Sequence, residues 1–416
     1  MRKVLLAIGI VVGAVILASK AKAQENNAFM YGTLTTITGD TYTGPIRWGS
    51  DEVYWVEMFN AMKTSNDFMK FLSKSEVEKL SEEAEGNSWL GINLNIMSIW
   101  EDKYSRTNHR FDTRFGDIKS IEPIRGDRAR LTLKNGVILE VKKTNHEDIG
   151  TTVRIYDPEL GELKFKWSRI EKVDFEEAPG TVEDNFGTPI YARVDAGRKG
   201  VYTGLIHWGK DERFLEETID GKDRNGDRAI PFRSIAKIVK RRDGCDITLR
   251  SGREFFITGT EDVNGSNSGI VVNDINIGQV TIPWKAFIEM DILNEQPQGY
   301  GFNDFPTSQG LSATVITIDG DKHEGLVAYD LDEAWEFEIL DAEDDDVEFK
   351  IPMRNIKNII PKNSSYSTVI LRDGTDLLLG DSNDVSDSNS GVLIFTSRDE
   401  KPVYIRWSRI DEIIFD

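Results

Sequence analysis

The sequence is short of the residues from which active sites and covalent frameworks are most often built. It has one cysteine, Cys245, and four histidines in 416 residues. A lone cysteine excludes an internal disulfide, and its place between Gly244 and Asp246 reads as a turn. His109, His146, His207 and His323 lie far apart, with no pair at zinc-ligand spacing. There is no Gly-x-Ser-x-Gly elbow, His-Glu-x-x-His pair or phosphate-binding glycine loop. Basic residues are outnumbered, 51 Lys and Arg against 71 Asp and Glu, for a formal charge of -20. Such a surface repels phosphate backbones and argues against nucleic acid as a partner. Past the N-terminal region no apolar run is long enough to cross a bilayer, so no transmembrane segment is expected in the mature chain.

What is present starts with an export signal. Arg2 and Lys3 precede an apolar run over residues 4–18, and Ala21 and Ala23 frame a small-x-small cleavage site. Residues 1–23 are read as a signal peptide removed after Ala23, which places the mature protein in the periplasm or outside the cell. With 39% apolar and 10% aromatic residues, the remainder can fill several cores.

One pattern recurs six times: three apolar anchors at three-residue steps, joining two short strands through a one-turn corner. It occurs at Phe115, Ile118 and Ile121, then at Trp167, Ile170 and Val173. It returns at Phe232, Ile235 and Ile238, and at Trp284, Phe287 and Met290. The last two copies are Met353, Ile356 and Ile359, and Trp407, Ile410 and Ile413. Hairpin signals with glycine-bearing turns open near Tyr31, Val201 and Val315, and again at Leu131, Ile247 and Val369. The chain therefore reads as all-β, three tandem double modules of two roughly fifty-residue halves each. The expected boundaries are 30–177, 189–293 and 311–416, separated by Pro/Gly/acid-rich linkers. Phe302 and Phe305 in the second linker are placed to pack on a neighbouring unit.

The strand order and the corner before a last strand resemble SH3-like and Sm-like small barrels. The resemblance implies six small-barrel-type repeats and says little about activity. The nucleotide-binding residues of Sm-like proteins find no counterpart here. A six-bladed β-propeller is the alternative architecture, since its blades have similar length.

Residues 57–104 depart from the repeat. Phe59, Met62, Phe68, Met69, Phe71, Leu72, Val77 and Leu80 follow three- and four-residue steps. The spacing predicts a helical insertion in the first unit, with Ser73 and Glu76 as a capping box. It serves either as a cap on the first unit or as a partner-binding element carrying Trp55, Phe59, Trp89 and Trp100.

Two further sets carry chemistry. An acidic pair recurs after the second strand of each unit, at Asp51 and Glu52, Asp211 and Glu212, and Asp332 and Glu333. Two carboxylates hold a cation or serve as acid and base, while turn chemistry explains Asp at a hairpin equally well. Asp223, Asn225 and Asp227 resemble the start of a calcium loop, but Arg228 and Ser234 replace its required Gly and bidentate Glu. Calcium is thus the one cofactor the sequence admits, and a weak one. Trp48, Trp208 and Tyr329 recur in equivalent places, as core residues of a repeat do. The expected function is a non-catalytic binding or scaffolding protein of the cell envelope, with an envelope protein or glycan as partner. The alternatives are an extracytoplasmic carbohydrate-active enzyme using paired carboxylates, and a calcium-stabilised adhesin.

Overall fold

The computed structural model describes residues 28–77, 80, 110–124, 126–143, 148–179, 186–295, 297–397 and 401–416. The expected signal peptide, residues 1–23, and Trp89 and Trp100 lie outside the described residues. Among the described residues thirty strands form, ten in each unit. The first unit holds β1 (Tyr31–Thr36), β2 (Thr41–Trp48), β3 (Met58–Lys63), β4 (Arg110–Arg114), β5 (Ile118–Pro123), β6 (Arg128–Leu133), β7 (Ile138–Lys142), β8 (Thr152–Asp157), β9 (Gly161–Lys166) and β10 (Ile170–Phe175). The second holds β11 (Tyr191–Asp195), β12 (Val201–Trp208), β13 (Thr218–Asp223), β14 (Gly226–Pro231), β15 (Ile235–Arg241), β16 (Gly244–Leu249), β17 (Glu254–Ile257), β18 (Ile270–Asp274), β19 (Gly278–Ile282) and β20 (Glu289–Ile292). The third holds β21 (Ser312–Thr317), β22 (Lys322–Tyr329), β23 (Ile339–Asp344), β24 (Val347–Pro352), β25 (Ile356–Pro361), β26 (Tyr366–Leu371), β27 (Asp376–Gly380), β28 (Val392–Phe395), β29 (Val403–Ile405) and β30 (Ile410–Phe415). Period-two alternation drives them: β1, β21 and β26 each bury every second residue.

The corners are tight 3-10 turns. The N–H of Ile118, Ile170, Ile235, Ile356 and Ile410 returns to the carbonyl three residues earlier. At Trp284 the turn is closed by Ala286 and Phe287 N–H on the Pro283 carbonyl. The register shifts one residue after the corner in β5, β15 and β25, which re-aims each strand into the core.

Strand order in the first unit is β4-β3-β7-β6-β5-β10-β1-β2-β8-β9, all antiparallel. The third unit repeats it with its own strands. So does the second, where the Lys222–Thr258 bridge stands in for one ladder. Exchanging each strand for the one five places along reverses the order onto itself. The two halves of a unit are thus related by a pseudo-dyad between β5 and β10. Each half lends two strands to one five-strand group and three to the other. β1 and β2 join β8, β9 and β10, while β6 and β7 join β3, β4 and β5. Neither half completes a group alone. No sheet closes into a barrel. Nor do the ladders break into six separate blades, because they run through both halves of each unit.

The second and third units fuse edge to edge through β19 and β24. Gly278 sits at this seam with φ 135°, and a Cβ there would lie 2.1 Å from the Lys350 carbonyl oxygen. Gly278→Ala is therefore expected to lower stability by about 1–3 kcal/mol. Gly265→Ala, with no atom within 4 Å of its Cβ and no positive φ, should be silent in the same thermal melt.

The first unit packs on both others. Its core takes in Leu205 and Phe214 of the second unit, Phe337 of the third, and Tyr300 and Phe305 of the second linker. That linker is fastened: Phe302 lies 4.7 Å from Trp55 between ring centres, and Lys134 sits 3.5 Å over the Phe302 ring.

The predicted insertion needs correction. Met58–Lys63 forms β3 rather than helix, because its backbone ladders with β4 and β7. Trp55 and Phe59 are buried in the first core, 1% and 0% exposed, and so cannot meet a partner in this structure. Beyond β3, Met69–Phe71 is one 3-10 turn, and residues 74–77 are helical. The capping box is present: Ser73 N–H donates to Glu76 Oε2 at 2.5 Å, and Glu76 N–H to Ser73 Oγ at 3.3 Å. Phe68, Met69, Phe71, Leu72 and Leu80 do not cover the first unit. They pack on Ala328, Leu331, Leu393 and Phe395 of the third, so this segment straps one unit to the other. Cys245 is also not in a turn; it is fully buried on β16.

Candidate functional site: an acidic cavity between the first and third units

After β2, β12 and β22 the chain makes the same tight loop three times. Glu52 bridges back to Trp48, Glu212 to Trp208 and Glu333 to Tyr329 through main-chain hydrogen bonds in both directions. Five residues further on, a second glutamate locks the loop. Glu57 Oε2 accepts the N–H groups of Val53 and Tyr54 at 2.5 and 2.6 Å. Glu217 does the same for Arg213 and Phe214, and Glu338 for Ala334 and Trp335. An aspartate from the loop before the eighth strand completes each copy. Its carbonyl accepts from Trp48 Nε1 (Asp148), Trp208 Nε1 (Asp262) or the Tyr329 hydroxyl (Asp384). Its carboxylate takes the N–H of Asn60, Asp220 or Asp341 at 2.7, 2.6 and 2.7 Å. The three acidic pairs thus hold equivalent structural places in three units.

The copies differ in what faces them. In the first unit Glu57 is buried against the second, with Arg213 Nη1 at 3.3 Å and His207 Nε2 at 3.0 Å. Burial opposes the charge of Glu57, but His207 and Arg213 outweigh it and hold its carboxyl below the usual range. In the second unit Glu217 is only half-buried. In the third, the loop faces β3 and β4 of the first unit and encloses a cavity of about 290 Å³.

That cavity is strongly acidic. Asp112 enters from β4, and Asp330, Asp332, Glu333, Glu338, Asp341 and Asp384 from the third unit. Arg110 stands at its edge. Three cations of the chain serve these carboxylates. Lys63 Nζ lies 3.0 Å from Asp332 Oδ1 and 2.5 Å from Glu338 Oε1. Lys350 Nζ lies 2.7 Å and Arg110 Nη2 2.9 Å from Asp112 Oδ2. Among the described residues, two oxygens of this cluster are buried without a hydrogen-bond partner, Asp112 Oδ1 and Glu333 Oε2. Their residues are 4% and 9% exposed. Such orphans are rare in folded proteins and costly, and Glu212 Oε2 of the second unit is another among the described residues. A second cavity of about 330 Å³ is lined by Lys63 and shares Asp332 and Glu338 with the first as walls.

Burial pushes these carboxyls up. Asp330 rises to about 8, Asp332 and Asp341 to about 6, and Glu333 and Asp384 well above the carboxylate range. Neighbouring carboxylates add to the shift in each case. Glu52 and Glu212, the equivalents of Glu333, rise to about 9 for the same reason. A carboxyl whose folded pKa exceeds its unfolded value stabilises the fold fully below the unfolded value and loses that contribution as pH climbs through the folded one. The melting temperature is therefore expected to fall between pH 6.5 and 8 in calorimetry at constant ionic strength. Lys134, pulled down to about 8 by burial, opposes the trend only from that pH upward. A melting temperature that rises across this window contradicts the assignment.

The remaining predicted residues fall elsewhere. Asp51 and Asp211 are exposed, Asp51 lying 3.9 Å from Arg213 Nη2. Asp223, Asn225 and Asp227 form the β13–β14 hairpin turn. The Asp223 carboxylate is already used, accepting from Asn225 N–H at 2.7 Å and Arg228 Nε at 2.9 Å. Asp227 pairs with Lys222 at 3.6 Å. Among the described residues no three His, Cys, Asp or Glu side chains stand in metal-holding geometry. Among them, too, no helix is long and apolar enough to cross a membrane. Sequence reasoning missed the glutamates at 57, 217 and 338 and the aspartate at 148, and it read the loops around Asp262 and Asp384 only as turns or weak calcium sites. The first set had a signal, since Asp-Glu-x4-Glu recurs in all three units.

No family model, curated protein or solved structure matches the chain. The reading of the site rests on its own geometry.

Proposed function

We propose that the protein is an exported, non-catalytic binding or scaffolding protein of the cell envelope, periplasmic or extracellular, that holds its partner at the acidic cavity between the first and third units. The observation that carries this reading is the cavity itself, walled by carboxyl side chains from two different units. Pockets that bind small groups begin at about 300 Å³ and carry a few convergent polar atoms, which fits the dimensions here. The export-type N-terminal sequence supports the compartment. The test uses the protein as bait in fractionated envelope extract, beside the variant Glu333→Gln. Stoichiometric recovery of one protein or glycan that the variant loses supports the reading. Equal recovery by both overturns the site.

One observation favours a second reading, a carbohydrate hydrolase. Burial and the neighbouring carboxyls raise the Glu333 carboxyl well above its usual range, the direction a general acid requires. Release of reducing ends from cell-wall polysaccharide, abolished in Glu333→Gln, would establish it in place of the binding reading.

A further inference from the structure

We propose that two open sheet edges join one copy of this chain to another, β14 of one copy laddering antiparallel with β9 of the next. The inference concerns a different face from the acidic cavity and does not depend on it.

The seam between the second and third units already makes this contact once. There the ninth strand of one unit pairs with the fourth strand of the next, Gln279 opposite Lys350, Val280 opposite Phe349 and Thr281 opposite Glu348. The same two edges recur without a partner. Among the described residues β9, the ninth strand of the first unit, ladders only with β8. Among them, too, β14, the fourth strand of the second unit, ladders only with β13.

Burial follows the pairing. β19 buries Gly278, Val280 and Ile282, whereas no residue of β9 is buried. Gly161 pairs with Asp157 as Gly278 pairs with Asp274, so the two glycines and the residues before them are equivalent. At Gly278 a Cβ would lie 2.1 Å from the Lys350 carbonyl oxygen, while at Gly161 nothing described stands within 4 Å. Ile277 is 6% exposed, and its equivalent Leu160 is 64% exposed. The first unit thus presents bare the edge that the second unit covers.

Charges on an edge strand usually keep other strands away. Carrying the seam's register over turns them into a match. Glu162, Leu163 and Lys164 take the places of Gln279, Val280 and Thr281. Ala229, Arg228 and Asp227 take those of Lys350, Phe349 and Glu348. Lys164 of one copy then faces Asp227 of the other, both exposed, and Glu162 faces the small Ala229. Tyr202 and Phe349, whose ring centres lie 5.9 Å apart across the seam, become Tyr42 and Arg228, an aromatic ring and a guanidinium.

The ninth strand of the third unit is a poorer match for β14. β29 has three residues, and Tyr404 packs with the strap from the first unit. Pro402 stands where β19 has Gln279 and has no N–H to give. A β14-on-β9 contact is heterologous, so copies add head to tail into rings or filaments.

The experiment is sedimentation velocity of the mature chain over a range of protein concentrations at low ionic strength. The variants are Lys164→Glu, Asp227→Lys and the two combined, each checked by thermal melting. The sedimentation coefficient is expected to rise with concentration. Each single reversal sets like charges opposite one another and should weaken the association about fivefold. The combined variant should recover it, because opposite charges face each other again. Asp227→Lys also lowers the net negative charge, so a general easing of repulsion would strengthen association where the proposal expects it to weaken. A single species at every concentration overturns the proposal. Association indifferent to both reversals does so too, since another face would then be in use. Weakening by Lys164→Glu alone would mean that β9 meets some other surface and also overturns it, as does failure of the combined variant to recover.

Discussion

Glu57→Ala is expected to destabilise the protein by about 3–5 kcal/mol, whereas Glu217→Ala, the same change in the next unit, should cost about 1–2 kcal/mol. Both glutamates accept two main-chain N–H groups and lock the same loop. Only Glu57 also faces a buried cation. Arg213 is 1% exposed, and among the described residues Glu57 is the one buried carboxylate it reaches, at 3.3 Å. Removing Glu57 strands that guanidinium at the seam between the first and second units, next to His207. Stranding a buried charge costs more than the pair contributes when intact, and that asymmetry separates the two variants. Urea denaturation of the pair is the check. Equal losses would mean that the seam carries no electrostatic load and that the loop bonds alone matter.

Lys63→Met should cost about 3–5 kcal/mol near pH 8 and clearly less near pH 5. Lys63 ends β3 of the first unit and reaches into the third, where its ammonium also donates to the Asp332 carbonyl at 2.8 Å. Burial disfavours its charge, but Asp332, Glu338 and Glu333 outweigh that and hold its pKa above the usual range. Without it, Asp332 and Glu338 stand together in a buried place with nothing to balance them. At low pH Asp332, already raised to about 6, takes up a proton and relieves the repulsion. Adding Asp332→Asn to the variant should recover part of the loss at pH 8, because the two changes act on one interaction. A loss that is the same at both pH values would show that the methionine merely packs badly.

Much of the architecture was legible in the sequence because it is written by local rules. Period-two alternation and the three-residue anchor spacing at Trp407, Ile410 and Ile413 mark strands and corner without reference to the rest of the chain. The Ser73 and Glu76 capping box was legible for the same reason. What was not legible depends on pairing at long range. Nothing in the residues of β3 says that it ladders with β7 some eighty positions away, so the steps at Phe59 and Met62 resemble a helix. The exchange of strands between halves is invisible for that reason too, since either half carries the same pattern whichever group it joins. The site follows this division. The acidic pair at Asp332 and Glu333 was visible as a recurrence. Asp112, which lines the same cavity, comes however from another unit more than two hundred residues earlier and carries no motif of its own. The equivalence of Glu52, Glu212 and Glu333 likewise concealed that only the third faces the first unit's β4. Trp55 misled in the opposite direction, because an aromatic in a non-repeated stretch looks like a binding residue until the core that buries it is seen.

The most direct test of the acidic cavity as a binding site is a crystal structure of the protein together with the partner recovered from envelope extract. The account predicts that partner seated against the cavity walls at Asp112, Asp341 and Asp384. A structure in which it lies elsewhere while the cavity holds only water would contradict it.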